Sequence, residues 1–293
     1  MGASFWWIFD VVTVIVLILC VFRCSRKGFS KMIVTAVGCI ISLAAAWSIS
    51  RGTAGFIYDN FFKKGNIEAV EIALEDYKPE ETIKNIIESN ELSGVLSTDT
   101  IKSILTGSNN LNMLYEYANS EASNILDTPE NFKKNLINDF ANAFAAQAGT
   151  GLPPYVAEEI INSISGHEKI FNATIEMLMT CPENMPKFVE EYYIRPSARM
   201  IVHSSVFLIV FFVLMTIILL VASKSPGFGL LNGYDRLDRF AGGLMGVIEG
   251  ITIIMIIAVG IKIMINISEN ENSFISIKTV ENTKIFRHFY KFL

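Results

Sequence analysis

The stretch Tyr234-Asp235-Arg236-Leu237-Asp238-Arg239 runs directly into Phe240-Ala241-Gly242-Gly243-Leu244-Met245-Gly246-Val247-Ile248-Glu249-Gly250, so a charged segment gives way to an apolar one. Such a change is typical of the border between water and a membrane span. Gly242, Gly246 and Gly250 recur at every fourth position. On a helix they share one face and leave a groove that admits a second backbone. The stretch therefore predicts a membrane helix with one closely packed face.

Four apolar segments of the 293-residue chain are long enough to cross a bilayer. A span needs about 20 mostly apolar residues, and the chain has a low charged fraction, 18%, with a mean hydropathy of +0.41. The predicted spans are residues 5–22, 32–49, 201–222 and 240–265. The expected fold class is all-α: a polytopic four-helix membrane bundle with an inserted soluble helical domain.

Residues 51–195 differ in charge from the remainder of the chain. They contain 11 Lys and Arg against 22 Asp and Glu, whereas the other residues contain 13 and 7. Phosphate contacts need positive charge, so the acidic insert excludes nucleic acid as its partner. The predicted organisation is a first transmembrane hairpin (1–50), an acidic helical extracytoplasmic domain (51–195), a second transmembrane hairpin (196–267) and an amphipathic C-terminal tail (268–293).

Helix signals dominate the acidic insert. Pro79 followed by two glutamates suits a first helical turn, and Thr128 before Pro129 suits a second helix start with a threonine cap. Apolar residues then follow at helical spacing, and no alternating strand pattern is present. The insert is predicted to be a bundle of about five to seven short helices. The apolar positions after Thr128 are Phe132, Leu136, Ile137, Phe140 and Phe144.

Basic residues follow the first span and precede the fourth. Cytoplasmic loops are enriched in Lys and Arg, so both short connections are predicted to lie in the cytoplasm and the large insert outside it. This assigns the chain to the cytoplasmic (inner) membrane as a multi-pass protein whose surroundings are the lipid bilayer. The predicted cytoplasmic anchors are Arg23, Arg26, Lys27, Arg236 and Arg239.

Small residues also recur at four-residue spacing in the second span. Gly38, Ser42 and Ala46 share one helical face. This face could receive the glycine face of the fourth span, because small residues let two backbones approach closely. The alternative is that these small residues reflect only the general composition of membrane helices.

Two acids lie within predicted spans, where an ionised group is costly unless it is paired or hydrated. Asp10 either lies at the membrane interface beside Trp6 and Trp7 or faces a partner inside the bundle. Glu249 lies between Gly246 and Gly250. It either contributes a hydrogen bond to helix packing or lines a polar path for ions or a small solute.

Motifs for catalysis, metal binding or nucleotide binding are missing from the sequence. The three histidines lie far apart, and Cys20, Cys24 and Cys39 lie in or beside the first two spans, where they are expected to act as small apolar residues. No cofactor, no metal and no enzymatic activity are predicted.

The tail after residue 268 has an amphipathic pattern. Ile285 and Phe289 share a face with Phe292, while Lys284, Arg287 and Lys291 lie opposite. This pattern predicts either a helix lying in the membrane interface or a helix packed on the soluble domain.

Several of these features resemble the colicin V production protein (CvpA) family of small bacterial inner-membrane proteins with about four spans. The resemblance rests on Asp10, on the Arg-x-x-Arg-Lys-Gly-Phe connection from Arg23 to Phe29, on the small-residue second span and on residues 236–250. It covers less than half of the chain. It implies a role in toxin production or export and in envelope integrity, and brings no catalytic residues. The acidic insert and Glu249 depart from the family pattern.

Two functions fit these observations. The first is a non-enzymatic scaffold or accessory protein whose 51–195 domain binds a protein partner. The second is a subunit of a small channel or transporter, in which the glycine faces build a homo-oligomer and Asp10 with Glu249 lines a path.

Overall fold

The structure is a computed structural model that describes residues 6–91, 96–107, 110–121, 128–224, 235–267 and 275–292. The chain is helical in these ranges and has no strand there, which confirms the all-α fold class. Four of the helices are long and apolar enough to cross a membrane. The predicted multi-span architecture therefore agrees with the structure.

The helices are numbered in chain order. Their bounds are α1 (Trp7–Lys27), α2 (Phe29–Phe61), α3 (Lys63–Leu74), α4 (Pro79–Glu91), α5 (Thr98–Leu105), α6 (Asn110–Glu121), α7 (Pro129–Ala148), α8 (Tyr155–Ile164), α9 (Glu168–Thr180), α10 (Met185–Val189), α11 (Arg195–Lys224), α12 (Asp235–Ile267), α13 (Ile277–Glu281) and α14 (Phe286–Phe292).

The chain forms two compact units. The membrane unit comprises Met1–Tyr58 and Arg199–Leu293, and the acidic domain comprises Asp59–Ala198. The helix α2 continues past residue 49, where the second span was predicted to end, and reaches Phe61. Helical hydrogen bonding does not depend on hydropathy, so the polar residues after Ile49 end the apolar run without ending the helix.

The turn between α1 and α2 is a single residue, Gly28. Its φ of +79° is accessible to glycine and costly for other residues. Its backbone N–H donates to the Cys24 carbonyl at 3.0 Å, which ends α1. The tight connection expected from the sequence is therefore made by glycine geometry.

A π-helical segment, Glu190–Ile194, lies between α10 and α11. Pro196 follows it and has no backbone N–H, so the regular hydrogen-bond pattern cannot continue through this position. Glu190 is only 1% exposed, and the guanidinium of Arg195 donates to both of its carboxylate oxygens, at 3.1 and 3.2 Å. This bidentate ion pair stabilises the π-helical turn, which is wider than an α-helical one.

The core of the acidic domain is organised around α7. Thr128 caps this helix as predicted, and its hydroxyl accepts from the Asn131 N–H. Phe140 is fully buried, stacks on Phe144 and meets Phe171 of α9 edge to face with ring centroids 5.1 Å apart. The predicted apolar face of α7 is confirmed as core, since its members are all buried: Phe132, Leu136, Ile137, Phe140 and Phe144.

Two apolar clusters hold the membrane unit together. In one, Ala46 of α2 packs with Phe207 and Phe211 of α11 and with Val259 of α12. The other joins α1, α12 and the C-terminal segment, and its buried members are Phe9, Ile254, Ala258, Ile261, Ile265, Val280 and Phe286.

Candidate functional site

The glycine face of α12 lies directly against the backbone of α1. A Cβ atom added at Gly246 would come within 2.6 Å of the Cys20 carbonyl oxygen and 2.7 Å of the Val21 Cα atom. One at Gly242 would come within 2.7 Å of the Cys24 carbonyl oxygen. A side chain at either position would force the two backbones apart, so these glycines allow the close contact that we call the α1–α12 seam.

Gly250 extends the seam by one turn and faces Leu17 of α1. Residue numbers rise along α12 while they fall along α1, so the two helices run antiparallel. On the α1 side, Cys20, Cys24 and Gly28 are also four residues apart. This spacing of small residues is a sequence signal for a closely packed helix, but α2 has the same spacing at Gly38, Ser42 and Ala46.

The predicted partner of the glycine face was therefore wrong. Gly38, Ser42 and Ala46 of α2 do not line the seam: the Ile218 side chain of α11 lies over Gly38, and Ala46 belongs to the cluster around Phe207. Ser42 is fully buried. The second span does have a small-residue face, but bulky side chains of α11 occupy the space beside it.

Glu249 projects into the seam from α12. The Cys24 thiol donates a hydrogen bond to Glu249 Oε2, with 2.9 Å between sulfur and oxygen, and Cys24 is fully buried. Glu249 thus has a thiol as its hydrogen-bond donor, and all four cysteines of the chain are free thiols.

Asp10 binds the C-terminal segment. Its carboxylate accepts three backbone hydrogen bonds, from the N–H groups of Lys284 at 2.7 Å, Ile285 at 2.9 Å and Phe286 at 2.9 Å. The Phe9 and Phe286 rings pack beside it, with centroids 5.3 Å apart. Asp10 therefore satisfies the amide groups where α14 begins, which is a more specific arrangement than an interfacial acid.

The C-terminal segment packs on the membrane unit. Phe286 and Val280 are buried against α1 and α12, and Phe289 and Tyr290 lie at the edge of that cluster. The described part of the tail thus packs on α1 and α12, a contact that neither reading named, and its position at the membrane interface stays a prediction. Burial, together with the charge of Glu281, raises the pKa of Tyr290. The side chains of Phe292 and Leu293 lie outside the described residues.

The predicted anchors are exposed near two helix ends. Arg23, Arg26 and Lys27 are exposed in the last turns of α1, and Arg236 and Arg239 are exposed in the first turns of α12. The Arg26 guanidinium lies 4.1 Å from the centre of the Phe22 ring. The two basic segments share one end of the seam, because Gly28 packs beside Asp238 and Gly242.

At the opposite end of the membrane unit, polar side chains of α2, α11 and α12 lie together. The His203 Nε2 atom is 3.2 Å from the Ser50 hydroxyl. The Trp47 ring packs edge to face against the imidazole, with ring centroids 5.6 Å apart. Lys262 lies with its ammonium 5.8 Å from the centre of the Tyr290 ring. Sequence reasoning missed Lys262, which closes the apolar run of α12.

The acidic domain contains a separate cavity of about 330 Å³ between α4 and α7. Its lining includes the apolar residues Ile87, Phe132 and Leu136 and the polar residues Asn135 and Asp139. The cavity combines an apolar surface with amide and carboxylate groups, a composition that suits a peptide or another polar organic ligand. In the described parts of the chain, no group of His, Cys, Asp and Glu side chains could hold a metal ion.

Comparison with known proteins adds no relative: no protein family, no curated protein and no solved structure matches this chain.

Proposed function

We propose that the protein is a non-enzymatic integral membrane scaffold, in which the four spans anchor a domain that binds a protein partner of the cell envelope. The observation that supports the proposal is that both acids of the predicted spans accept hydrogen bonds from other parts of the chain. Asp10 accepts three backbone hydrogen bonds and Glu249 accepts one from Cys24. Both acids therefore contribute to helix packing. This role explains why acids occur in the spans without requiring that they transport a solute or catalyse a reaction.

The resemblance to the CvpA family supports the cellular context of this proposal. We place the protein in the cytoplasmic membrane of a bacterium, as an accessory in production or export of a colicin V-like toxin or in envelope maintenance. The exposed arginines at one end of the seam favour a cytoplasmic position for that end and an extracytoplasmic position for residues 59–198.

Partner binding is assigned to the cavity between α4 and α7. The domain is strongly acidic, and Asp139 adds a carboxylate to the cavity lining. A peptide segment with a basic residue beside apolar side chains would complement both the carboxylate and the apolar residues of the lining.

Site-specific photocrosslinking in cells tests this assignment. A photoreactive residue replaces Asn135, an exposed residue of the cavity lining, in the full-length protein. A matched variant carries it at Glu176, an exposed position of α9 outside the cavity. We expect a discrete crosslinked envelope protein from position 135 and none from position 176. Equal crosslinking from both positions would contradict a partner site in the cavity.

Flux measurements decide between the scaffold and the channel. Liposomes containing the purified protein are expected to hold an ion gradient as well as empty liposomes do, and the protein is expected to be monomeric. A flux that disappears in Glu249→Gln, together with an oligomer, would overturn the scaffold in favour of a channel subunit. Glutamine keeps an oxygen that can accept from Cys24, so a loss of flux in this variant would report the charge.

A further inference from the structure

A cluster of basic side chains occupies the end of the membrane unit opposite the cytoplasmic anchors. Arg51 and Lys262 lie close enough to His203 for their positive charges to act on its imidazole. Arg199 joins them, because its guanidinium lies beside Gly55, one helical turn beyond Arg51 on α2. We call Arg51, Arg199, His203 and Lys262 the basic cluster. Its members come from α2, α11 and α12, so the tertiary fold assembles it.

The position of the basic cluster along the helices agrees with the membrane border. Arg51 lies 22 residues after Phe29, and Lys262 lies 22 residues after Phe240. At 1.5 Å per residue both distances are about 33 Å, which is close to the thickness of the hydrocarbon core. His203 lies 20 residues before Ser223, the end of the third candidate span. The helices α2, α11 and α12 thus each place a basic group at a similar depth, close to the membrane border.

Two aromatic side chains flank the basic cluster as expected for the headgroup region. Trp47 contacts His203, and the Tyr290 ring lies beside Lys262. Tryptophan and tyrosine are enriched at this depth because their rings are apolar and their N–H and O–H groups are polar.

Hydrogen bonds orient the imidazole within the cluster. The Ser50 hydroxyl donates its only proton to the Trp47 carbonyl at 3.1 Å. The same hydroxyl lies 3.2 Å from His203 Nε2, so Ser50 links the imidazole to α2. The ring is fixed by Ser50 and Trp47 of α2, which makes the site a built one rather than a chance group of flexible lysines.

We propose that the basic cluster binds the phosphate of an anionic phospholipid in the leaflet opposite the cytoplasmic anchors. Arginine and lysine are the side chains that bind phosphate oxygens most strongly. The lipid tails would lie along the apolar helices, while Trp47 and Tyr290 border the headgroup. This inference is independent of the scaffold proposal, because a channel could carry the same lipid site.

Native mass spectrometry of the full-length protein tests the proposal. The protein is released from micelles that contain equal amounts of phosphatidylglycerol and phosphatidylcholine. We expect retention of phosphatidylglycerol in preference to phosphatidylcholine. Arg51→Gln and Lys262→Gln should each lower its affinity about fivefold, the effect of one basic residue near a charged membrane surface. Lys262→Arg should keep the preference, which separates loss of charge from loss of folding.

Matched variants at the other end provide the control. Arg23→Gln and Arg239→Gln remove the same charge from the cytoplasmic anchors and should leave the retained phosphatidylglycerol unchanged. Equal retention of the two lipids, or equal losses in the control variants, would overturn the proposal. Displacement of the lipid by millimolar inorganic phosphate would also overturn it and would identify a site for a soluble anion.

Discussion

The α1–α12 seam is packed through glycine residues, whereas the α7 core is packed through large aromatic side chains. In the seam, Gly242 and Gly246 bring the α12 backbone against the carbonyl oxygens of Cys20 and Cys24. In the acidic domain, Phe140 fills the space between α7 and α9 with an aromatic ring that is fully buried. One contact depends on the absence of side chains and the other on their size.

The solvent explains this difference. In water, removing a large apolar side chain from solvent is the main stabilising contribution, so cores are built from residues such as phenylalanine. Lipid tails are as apolar as leucine, so burying an apolar side chain against another helix gains little in a membrane. Close backbone packing and hydrogen bonds such as that from Cys24 to Glu249 then decide which helices associate. Substitutions in the two regions should therefore lower the stability of the protein for different reasons.

The largest effect is expected for Phe140→Ala in the acidic domain. Truncation of a buried phenylalanine costs about 3–5 kcal/mol because it removes apolar contacts and leaves a cavity. Hydrogen exchange of the full-length protein should show loss of protection in α7 and α9. The matched change Lys134→Ala, on the exposed face of α7, should leave protection unchanged. Similar losses in both variants would contradict a core centred on Phe140.

A smaller but more diagnostic effect is expected for Gly246→Ala in the seam. Alanine favours helix more than glycine does, yet its methyl group would overlap the α1 backbone, and overpacking costs about 1–3 kcal/mol. Gly260→Ala on the same helix is the control, because a Cβ atom there meets nothing within 4 Å. The three tryptophans, Trp6, Trp7 and Trp47, lie in the membrane unit, so tryptophan fluorescence during thermal unfolding reports this change. Equal midpoints for the two variants would argue against the seam.

The comparison also shows what the sequence could predict. The helix start at Thr128 and the buried face through Phe140 follow from capping and helical spacing, which are local properties of the chain. The glycine face was equally visible, since Gly242, Gly246 and Gly250 are regularly spaced. Its partner was not visible in the same way, because α1 and α2 both contain small residues four positions apart.

The contact of Asp10 could not be predicted from any local pattern. Its partners, the amide groups of Lys284, Ile285 and Phe286, are backbone groups that carry no sequence signature and lie more than 270 positions away along the chain. The basic cluster was missed for a related reason. Arg51, His203 and Lys262 are isolated in sequence, and only the packing of three helices brings them together.

The Asp10 contact gives the third prediction. Asp10→Ala should raise hydrogen exchange at Lys284, Ile285 and Phe286, because three amide groups lose their acceptor, with a cost of about 1–2 kcal/mol. Asp10→Asn is more selective. Its amide oxygen can still accept from Ile285 and Phe286 in place of Oδ1, whereas its NH2 group would face the Lys284 N–H. A uniform increase at all three amides in Asp10→Asn would contradict this geometry.

The smallest effect is a pH dependence in the acidic domain. Tyr77 packs against Phe144 with ring centroids 5.7 Å apart, and burial raises its pKa to about 12 from the ordinary value of about 10. Below pH 10 the phenol is neutral in both states, so its contribution to stability is complete. Between pH 10 and pH 12 the unfolded chain ionises first, so the free energy of unfolding should fall, by about 1 kcal/mol at pH 11. Burial also raises the pKa values of Tyr155 and Tyr193, so Tyr77→Phe should show a smaller fall than the native protein, with the difference between the two proteins at pH 8 as the reference. If the two proteins lost stability in parallel from pH 8 to pH 11, Tyr77 would have to be solvated in the native domain, and the aromatic core around α7 would be smaller than the structure indicates.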